Sequence, residues 1–221
     1  MRKLKSLRNA SVQPPRLSAD AVTCELRAID DGSEYVETLF ADCALHGQSA
    51  DNVVFDQVLF RRASVTRSRL ARARMSDTRL EASDLSETLL PKGRWNRVEC
   101  VGCRLTGFQM LDCACQDVRF TECSMEGVMF RVGKFRSVRF EKCNLRGSLF
   151  EKMDLAGTTF LECDLTGADL SGSTLKGVDF RGSGLADLRV EGRQLQGTII
   201  DPLQAIQVAG LLGLTIREIG D

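Results

Sequence analysis

Apolar side chains recur at every fifth residue along most of this chain. The frame runs without interruption from Tyr35 to Ile200, and no position in it carries a charge. An α-helix would place apolar residues at a period near 3.6, and a flat strand would place them at a period of 2. A fixed, longer period is typical of a solenoid, in which each repeat buries its apolar face against its neighbours. The pattern therefore predicts one elongated repeat domain.

A second regular position lies two residues before each apolar centre. It holds small or β-branched residues, among them Cys43, Val58, Ala63, Cys103, Val118, Cys123, Val138, Cys143, Thr158, Cys163, Ala168 and Val178. Together with the centres these residues form units such as Cys-Asn-Leu-Arg-Gly at 143–147 and Ala-Asp-Leu-Ser-Gly at 168–172. On these units, the chain resembles the pentapeptide-repeat family over most of its length. The resemblance implies an all-β solenoid, a right-handed quadrilateral parallel β-helix in which each coil consists of four pentapeptides. The repeat span then corresponds to about eight coils.

Charged residues test the proposed coil length. If four pentapeptides complete a coil, positions i and i+20 are stacked at strand spacing, about 4.8 Å, and opposite charges should be favoured there. From Tyr35 to Asp201 there are 16 opposite-charge pairs at this spacing and three like-charge pairs. The like-charge pairs are Arg72/Lys92, Arg74/Arg94 and Arg119/Arg139. The bias supports four pentapeptides per coil.

The centres also sort by side of the coil. One series with a step of 20 contains Phe120, Phe140 and Phe160, and the next contains Leu145 and Leu165. We therefore expect an aromatic wall and an aliphatic wall inside the solenoid, with the three phenylalanines stacked on each other.

The two ends of the chain depart from the frame. Residues 1–20 are basic and carry Pro14-Pro15, which favours a flexible N-terminal tail. Residues 21–200 form the predicted β-helix, and residues 201–221 a C-terminal helix and tail. Asp201 is the expected N-cap and Pro202 the first helical residue. The helix either caps the solenoid or forms the interface of a homodimer, and we favour the homodimer. The candidate dimer contacts are Leu203, Ile206, Leu211 and Leu212.

Charge is balanced overall but unevenly distributed. The formal net charge is zero, yet residues 20–56 hold nine acids and one base, whereas residues 57–104 hold eleven bases and five acids. One candidate acidic surface for a partner consists of Glu34, Glu37, Asp42, Asp51, Asp56, Asp154, Glu162, Asp164, Asp169 and Asp179. One candidate basic surface consists of Arg61, Arg62, Arg67, Arg69, Arg72, Arg74 and Arg79. Pairing of these bases with acids on the neighbouring coils is the simpler interpretation of the basic set.

Catalytic and cofactor chemistry have little support in the sequence. The sole histidine, His46, lies at an outward repeat position, and no nucleotide-binding or zinc-protease motif occurs. The nine cysteines fall mostly in the repeat frame, which favours buried free thiols over a zinc site around Cys100-x-x-Cys103. We expect a protein without enzymatic activity, cofactor, metal or small-molecule substrate.

The partner and the cellular location follow from composition and resemblance. No apolar run is long enough to span a bilayer, so we expect a cytoplasmic protein without a membrane partner. Some members of the family bind DNA gyrase or topoisomerase IV by mimicking DNA and so confer quinolone resistance. The resemblance therefore implies a topoisomerase inhibitor of this kind. The alternatives are a generic scaffold with an unrelated protein partner and an anion or nucleic-acid contact through the arginine-rich coils.

Overall fold

The computed structural model describes residues 11–215 and 217. Short strands dominate, followed by one 3-10 helix, Gly192–Leu195, and one α-helix, α1, Gln204–Leu211. The strands are β1 Val22–Thr23, β2 Glu34–Val36, β3 Thr38–Ala41, β4 Ala44–His46, β5 Ser49–Asp51, β6 Val54–Asp56, β7 Leu59–Arg61, β8 Ser64–Thr66, β9 Arg69–Ala71, β10 Arg74–Glu81, β11 Leu89–Pro91, β12 Arg94–Val101, β13 Gln109–Thr121, β14 Met129–Glu141, β15 Leu149–Asp154 and β16 Thr159–Leu161.

Strand pairing repeats once for every four pentapeptides. Every pair from β2 onward is parallel and joins position i to position i+20, as in the continuous stack of Met75, Trp95, Cys115 and Phe135 across β10, β12, β13 and β14. Isolated parallel bridges continue the register to Asp179 and Ile199. The first strand differs, because Val22 of β1 pairs with Thr38, which lies less than four pentapeptides ahead. The predicted coil of four pentapeptides is therefore confirmed.

The corners of the coil explain the five-residue period. Every fifth residue from Gly32 to Asp187 has a positive φ, which turns the backbone once per pentapeptide. Glycine adopts this conformation without strain, and the glycines at 47, 107, 127, 147 and 167 all occupy such corners. Four corners in each coil give a four-sided parallel β-solenoid, as the family resemblance implied. Its right-handed sense and the number of coils remain predictions.

The core is a continuous column inside the four sides. Every fifth residue from Phe40 to Leu185 is buried. Phe140 stacks nearly parallel on Phe120, with ring centroids 4.8 Å apart, and on Phe160, at 4.9 Å. The expected aromatic wall is therefore present, and Leu145 and Leu165 are buried on the next side.

The position two residues before each centre supplies hydrogen-bond donors to the preceding coil. The Thr88 hydroxyl donates to the backbone carbonyl of Val65 at 2.7 Å, and the Ser173 hydroxyl donates to Phe150 in the same way. The thiols of Cys103 and Cys123 take this role towards Leu80 and Cys100, at 3.4 and 3.5 Å. Small and β-branched residues prevail at this position beside the backbone of the preceding coil, although Phe108 and Met153 also occupy it and are buried.

Two glutamines terminate the solenoid. The Gln194 carboxamide donates to the carbonyls of Leu170 and Ser173, and the buried Gln204 carboxamide donates to those of Phe180 and Ser183. In regular coils such carbonyls receive a hydroxyl or thiol and a backbone N–H of the next coil. Each glutamine thus replaces two donors of a coil that is absent.

The C-terminal helix starts later than predicted. The Asp201 carboxylate accepts hydrogen bonds from the N–H groups of Leu203 and Gln204, at 2.9 and 3.0 Å, as an N-cap does. However, α1 begins at Gln204 and not at Pro202, because residues 202 and 203 form a turn.

Candidate interaction surfaces

Most of the candidate acidic residues are neutralised by bases. Asp42 pairs with Arg62 at 2.7 Å, and Asp154 pairs with Lys134 at 2.5 Å. Ion pairs also hold Asp51, Asp164, Asp169 and Asp179. Asp179 is only 1% exposed, so it cannot belong to a contact surface, contrary to the prediction. These carboxylates do not form a free acidic strip.

Four of the predicted acids make no ion pair within the part of the chain that the structure describes, and three of them are neighbours. Glu34 and Asp56 flank the stacked centres Tyr35 and Phe55, because Glu34 pairs in register with Val54, and Val36 with Asp56. Glu37 is the corner residue that follows. We call Glu34, Glu37 and Asp56 the N-terminal acidic patch. The fourth acid, Glu162, lies further along the rod, near Arg139 and Lys142.

The candidate basic residues behave in the same way. Arg62 and Arg67 bind acids on neighbouring coils, at 2.7 and 3.2 Å, and so do Arg61, Arg69, Arg72 and Arg79. The hydrogen bond with Arg62 also holds the pKa of Asp42 below its usual value of 3.8. Six of the seven arginines therefore form interstrand ladders. Arg74 is the exception, since none of the described carboxylates forms an ion pair with it.

The N-terminal segment lies along the rod where the structure describes it. The Gln13 N–H donates to the Asp117 carboxylate at 3.1 Å, and the Arg16 N–H donates to the Asp77 carboxylate at 3.0 Å. We call residues 11–19 the strap. It crosses two coils towards the N-terminal end of the solenoid, and sequence reasoning missed these contacts. The basic residues at positions 2, 3, 5 and 8 of the predicted tail lie outside the described residues.

The C-terminal helix has one side on the solenoid and one in solvent. Val208 and Leu211 pack against the core, and the Leu185 N–H donates to the Gln207 side chain at 3.2 Å. Of the four predicted dimer contacts, Leu211 therefore faces the solenoid. The other three are exposed, with Leu203 at 83%, Ile206 at 62% and Leu212 at 49%.

The potentially reactive side chains are one histidine on the surface and nine cysteines, of which Cys103, Cys123, Cys143 and Cys163 lie next to one another on successive coils. His46 is exposed, and its Nδ1 lies 3.1 Å from the Thr66 hydroxyl of the next coil. Seven of the nine cysteines are buried, whereas Cys24 is exposed and Cys43 is half-buried. The pKa of Cys100 is raised chiefly by burial. Among residues 11–215 and 217, no group of three or more potential ligands could hold a metal ion, and no described helix is long and apolar enough to cross a membrane.

Comparison with known proteins gives family models and solved structures. A model described as a pentapeptide repeat region matches residues 73–147, and a model of eight pentapeptide repeat copies matches residues 134–172 and 143–182. A trypsin-treated structure of QnrB1, a plasmid-mediated fluoroquinolone resistance protein, is 18% identical. The match covers 90% of this chain and 100% of that chain, with a TM-score of 0.44.

A second similar structure is HetL from the cyanobacterium Nostoc sp. strain PCC 7120, a pentapeptide repeat protein involved in heterocyst differentiation regulation. It is 18% identical, and the match covers 77% of this chain and 90% of HetL, with a TM-score of 0.27. No curated protein matches the chain. The matched residues share the five-residue frame, the buried centres and the left-handed corners, and the chain belongs to the pentapeptide-repeat family.

Proposed function

We propose that this chain binds another protein and catalyses no reaction. The observation that carries the proposal is the separation of surface from core. The inward positions are filled with apolar side chains, while the outward side chains stand in register from coil to coil on a rigid backbone. Such a rod presents a preorganised surface, which lowers the entropic cost of binding.

The specific partner that we propose is DNA gyrase or topoisomerase IV. The family resemblance supplies this partner, and the N-terminal acidic patch supplies a contact surface. Its three carboxylates form no ion pair among the described residues and are available to a positively charged DNA-binding surface, although Asp56 also contributes, after Asp77, to the raised pKa of Arg97. The neutralised acids further along the rod contribute less, because their charge is already paired.

Purified gyrase and topoisomerase IV test this proposal directly. Supercoiling and decatenation are measured with rising amounts of the protein, with and without a quinolone, at several salt concentrations. We expect inhibition or protection that weakens as salt rises, because the association is dominated by charge. Replacing Glu34→Gln, Glu37→Gln and Asp56→Asn together should weaken the effect at least tenfold.

A matched control separates the patch from total charge. The variant Glu122→Gln, Glu126→Gln and Asp187→Asn removes the same three charges elsewhere and should act like the native protein. If the native protein neither binds, inhibits nor protects either enzyme at low salt, the topoisomerase proposal is wrong, and a scaffold with an unrelated protein partner remains.

We also propose that the protein is a homodimer through α1. The exposed apolar side chains of Leu203, Ile206 and Leu212 support this, because large apolar groups in one place mark contact sites. Sedimentation of the variant Leu203→Glu and Ile206→Glu should show a monomer, while Val22→Glu, at an exposed valine far from α1, should remain a dimer. A native protein that sediments as a monomer at micromolar concentration contradicts the proposal.

A further inference from the structure

One side of the rod carries a groove with unneutralised positive charge. Its volume is about 360 Å³, and basic side chains line it at both ends. Two columns of residues in register form its walls. The first column contains Arg74, Arg94, Ala114 and Lys134, and the second contains Ser76, Asn96, Gln116 and Arg136. We call this feature the basic groove.

Three of the four bases of the basic groove lack the ion pairs that other bases form within the described part of the chain. Like charges directly opposite each other on neighbouring strands are destabilising, and the sequence has three such pairs. Two of these pairs are relieved by acids. In Arg72/Lys92, Arg72 binds Asp51, and in Arg119/Arg139 both arginines bind glutamates. Arg74 and Arg94 form no ion pair with any described acid.

The remaining contacts leave most of this charge available to a ligand. Arg94 donates only through Nη1, to the backbone carbonyls of Gly93 and Asp112. Lys134 binds Asp154. Arg136 forms no ion pair in the described part of the chain, although after Lys134 it also helps to lower the pKa of Asp154. Ala114 interrupts the first column, so a small gap lies between Arg94 and Lys134. An acidic side chain placed over Ala114 would have a base on the strand on either side, each about 4.8 Å away.

The strap shows how an extended chain lies along this side of the rod. Its N–H groups at Gln13 and Arg16 bind Asp117 and Asp77, which are two coils apart. Two coils span about 9.6 Å along the rod, and the three residues from Gln13 to Arg16 span about 10 Å when they are extended. The strap therefore runs along the rod axis, beside the second column of the groove, and an extended peptide fits the same direction and spacing.

From these observations, we propose that the basic groove binds an extended acidic peptide segment of a partner protein. Arg74, Arg94 and Arg136 would bind its carboxylates, and Asn96 and Gln116 would bind its backbone. The groove spans four strands, about 14 Å, which accommodates about four extended residues. A nucleic acid fits less well, because the aromatic residue of the groove, Trp95, is 1% exposed and offers no stacking surface for a base. The groove adjoins the N-terminal acidic patch, because Ser76 pairs in register with Asp56, but the two surfaces share no residue, so the proposal does not depend on topoisomerase binding.

Fluorescence anisotropy with a labelled octaglutamate peptide tests the proposal, with octaglutamine, inorganic polyphosphate and a thymidine dodecamer as comparison probes. We expect octaglutamate to bind and octaglutamine not to bind. The variant Arg74→Gln, Arg94→Gln and Arg136→Gln should weaken octaglutamate binding at least tenfold. The control Arg62→Gln, Arg67→Gln and Arg72→Gln removes the same charge from the ladders and should bind like the native protein.

A second variant guards against loss of folding. Ala114→Glu places a carboxylate in the gap at an outward strand position, where it should block the peptide without disturbing the core. Unchanged octaglutamate binding by this variant and by the groove triple variant would overturn the proposal. Tighter binding of the oligonucleotide or of polyphosphate at the same groove would overturn it in favour of a phosphate backbone.

Discussion

Two adjacent residues, Val132 and Gly133, differ in how well they suit their positions: Val132 is strained at its corner, whereas Gly133 is required at its inward position. Val132 is a corner residue with φ of 52° and is 52% exposed, although β-branched residues rarely adopt this conformation. The left-handed conformation costs about 1 to 2 kcal/mol, and asparagine tolerates it better. We expect Val132→Asn to raise the free energy of unfolding by about 1 kcal/mol in a urea titration. Val36→Asn, at an equally exposed valine without positive φ, should give no such gain.

Gly133 occupies an inward position where a side chain has no room. A Cβ atom there would lie 2.4 Å from the Cys113 backbone oxygen. We expect Gly133→Ala to lower the free energy of unfolding by about 1 to 3 kcal/mol, because backbone must move. Gly93→Ala is the matched control, since its Cβ would meet the flexible methyl end of Met110 at 3.0 Å. Equal costs for the two variants in urea titrations would contradict this interpretation.

The cysteines differ in accessibility by their place in the coil. A thiol reagent should react quickly with Cys24, which is exposed, and slowly with the half-buried Cys43. The seven buried thiols should react only after denaturation, because reagent and base cannot reach them. Ellman titration measures this, and Cys24→Ser should remove the fast phase. Rapid reaction of three or more thiols in the native protein is the contrary outcome.

At the scale of the elements, the end of the solenoid depends on Gln204. Its side-chain nitrogen donates to two backbone carbonyls of residues 180 and 183, at 2.5 and 2.7 Å. Gln204→Ala should cost about 1 to 3 kcal/mol, because these buried acceptors lose their donor. Gln204→Glu should cost more at pH 7, since a carboxylate repels both carbonyls, and less at low pH, where the acid can donate.

Thermal denaturation at two pH values measures this difference. Gln207→Glu serves as a comparison on the same helix, because Gln207 accepts a hydrogen bond from Leu185, and a carboxylate can still accept it. Equal effects of the two glutamate variants would show that α1 does not terminate the solenoid through Gln204.

The strap should detach in acid. The pKa of Asp77 is lowered from 3.8 mainly by its hydrogen bond with Arg97, and also by the Arg16 N–H. A carboxylate with a lowered folded pKa stabilises above the unfolded value, and this contribution is lost as the pH falls through the folded pKa. Protection of the Arg16 amide from hydrogen exchange should therefore decrease below pH 3.8. The Ile29 amide, bound to the neutral side chain of Gln48, is the internal control and should keep its protection.

The five-residue periodicity predicted the regular part of this fold, but it did not predict contacts that occur only once along the chain. Phe140 lies between Phe120 and Phe160 because the five-residue period, together with four pentapeptides per coil, stacks positions 20 residues apart. The coil length places Arg146 opposite Glu126, 20 residues away, but Arg146 binds Asp164 of a neighbouring column, since a long side chain can reach sideways. The strap and the terminal glutamines had no repeating signal. The basic groove did have one, because the pair Arg74/Arg94 broke the charge rule.

At the scale of the whole molecule, the core should outweigh the charged ladders in stability. The ladder ion pairs are largely exposed, and an exposed pair contributes about 0 to 1 kcal/mol. Raising NaCl from about 20 mM to about 300 mM should therefore change the free energy of unfolding by less than about 2 kcal/mol. Urea titrations at the two salt concentrations measure it. A much larger loss would mean that charge, and not the apolar column, holds successive coils together.

Because each coil has four corners, the sequence can change the length of the rod without changing the side on which a surface lies. Duplicating one whole coil would lengthen the rod by about 4.8 Å and leave every side aligned. Duplicating a single pentapeptide would lengthen it by about a quarter of that and turn everything downstream through one side. A copying error of one repeat can thus swing the basic groove away from the N-terminal acidic patch while both remain intact. A change in the number of repeats can therefore reorient one binding surface relative to another while the pattern of the core stays the same.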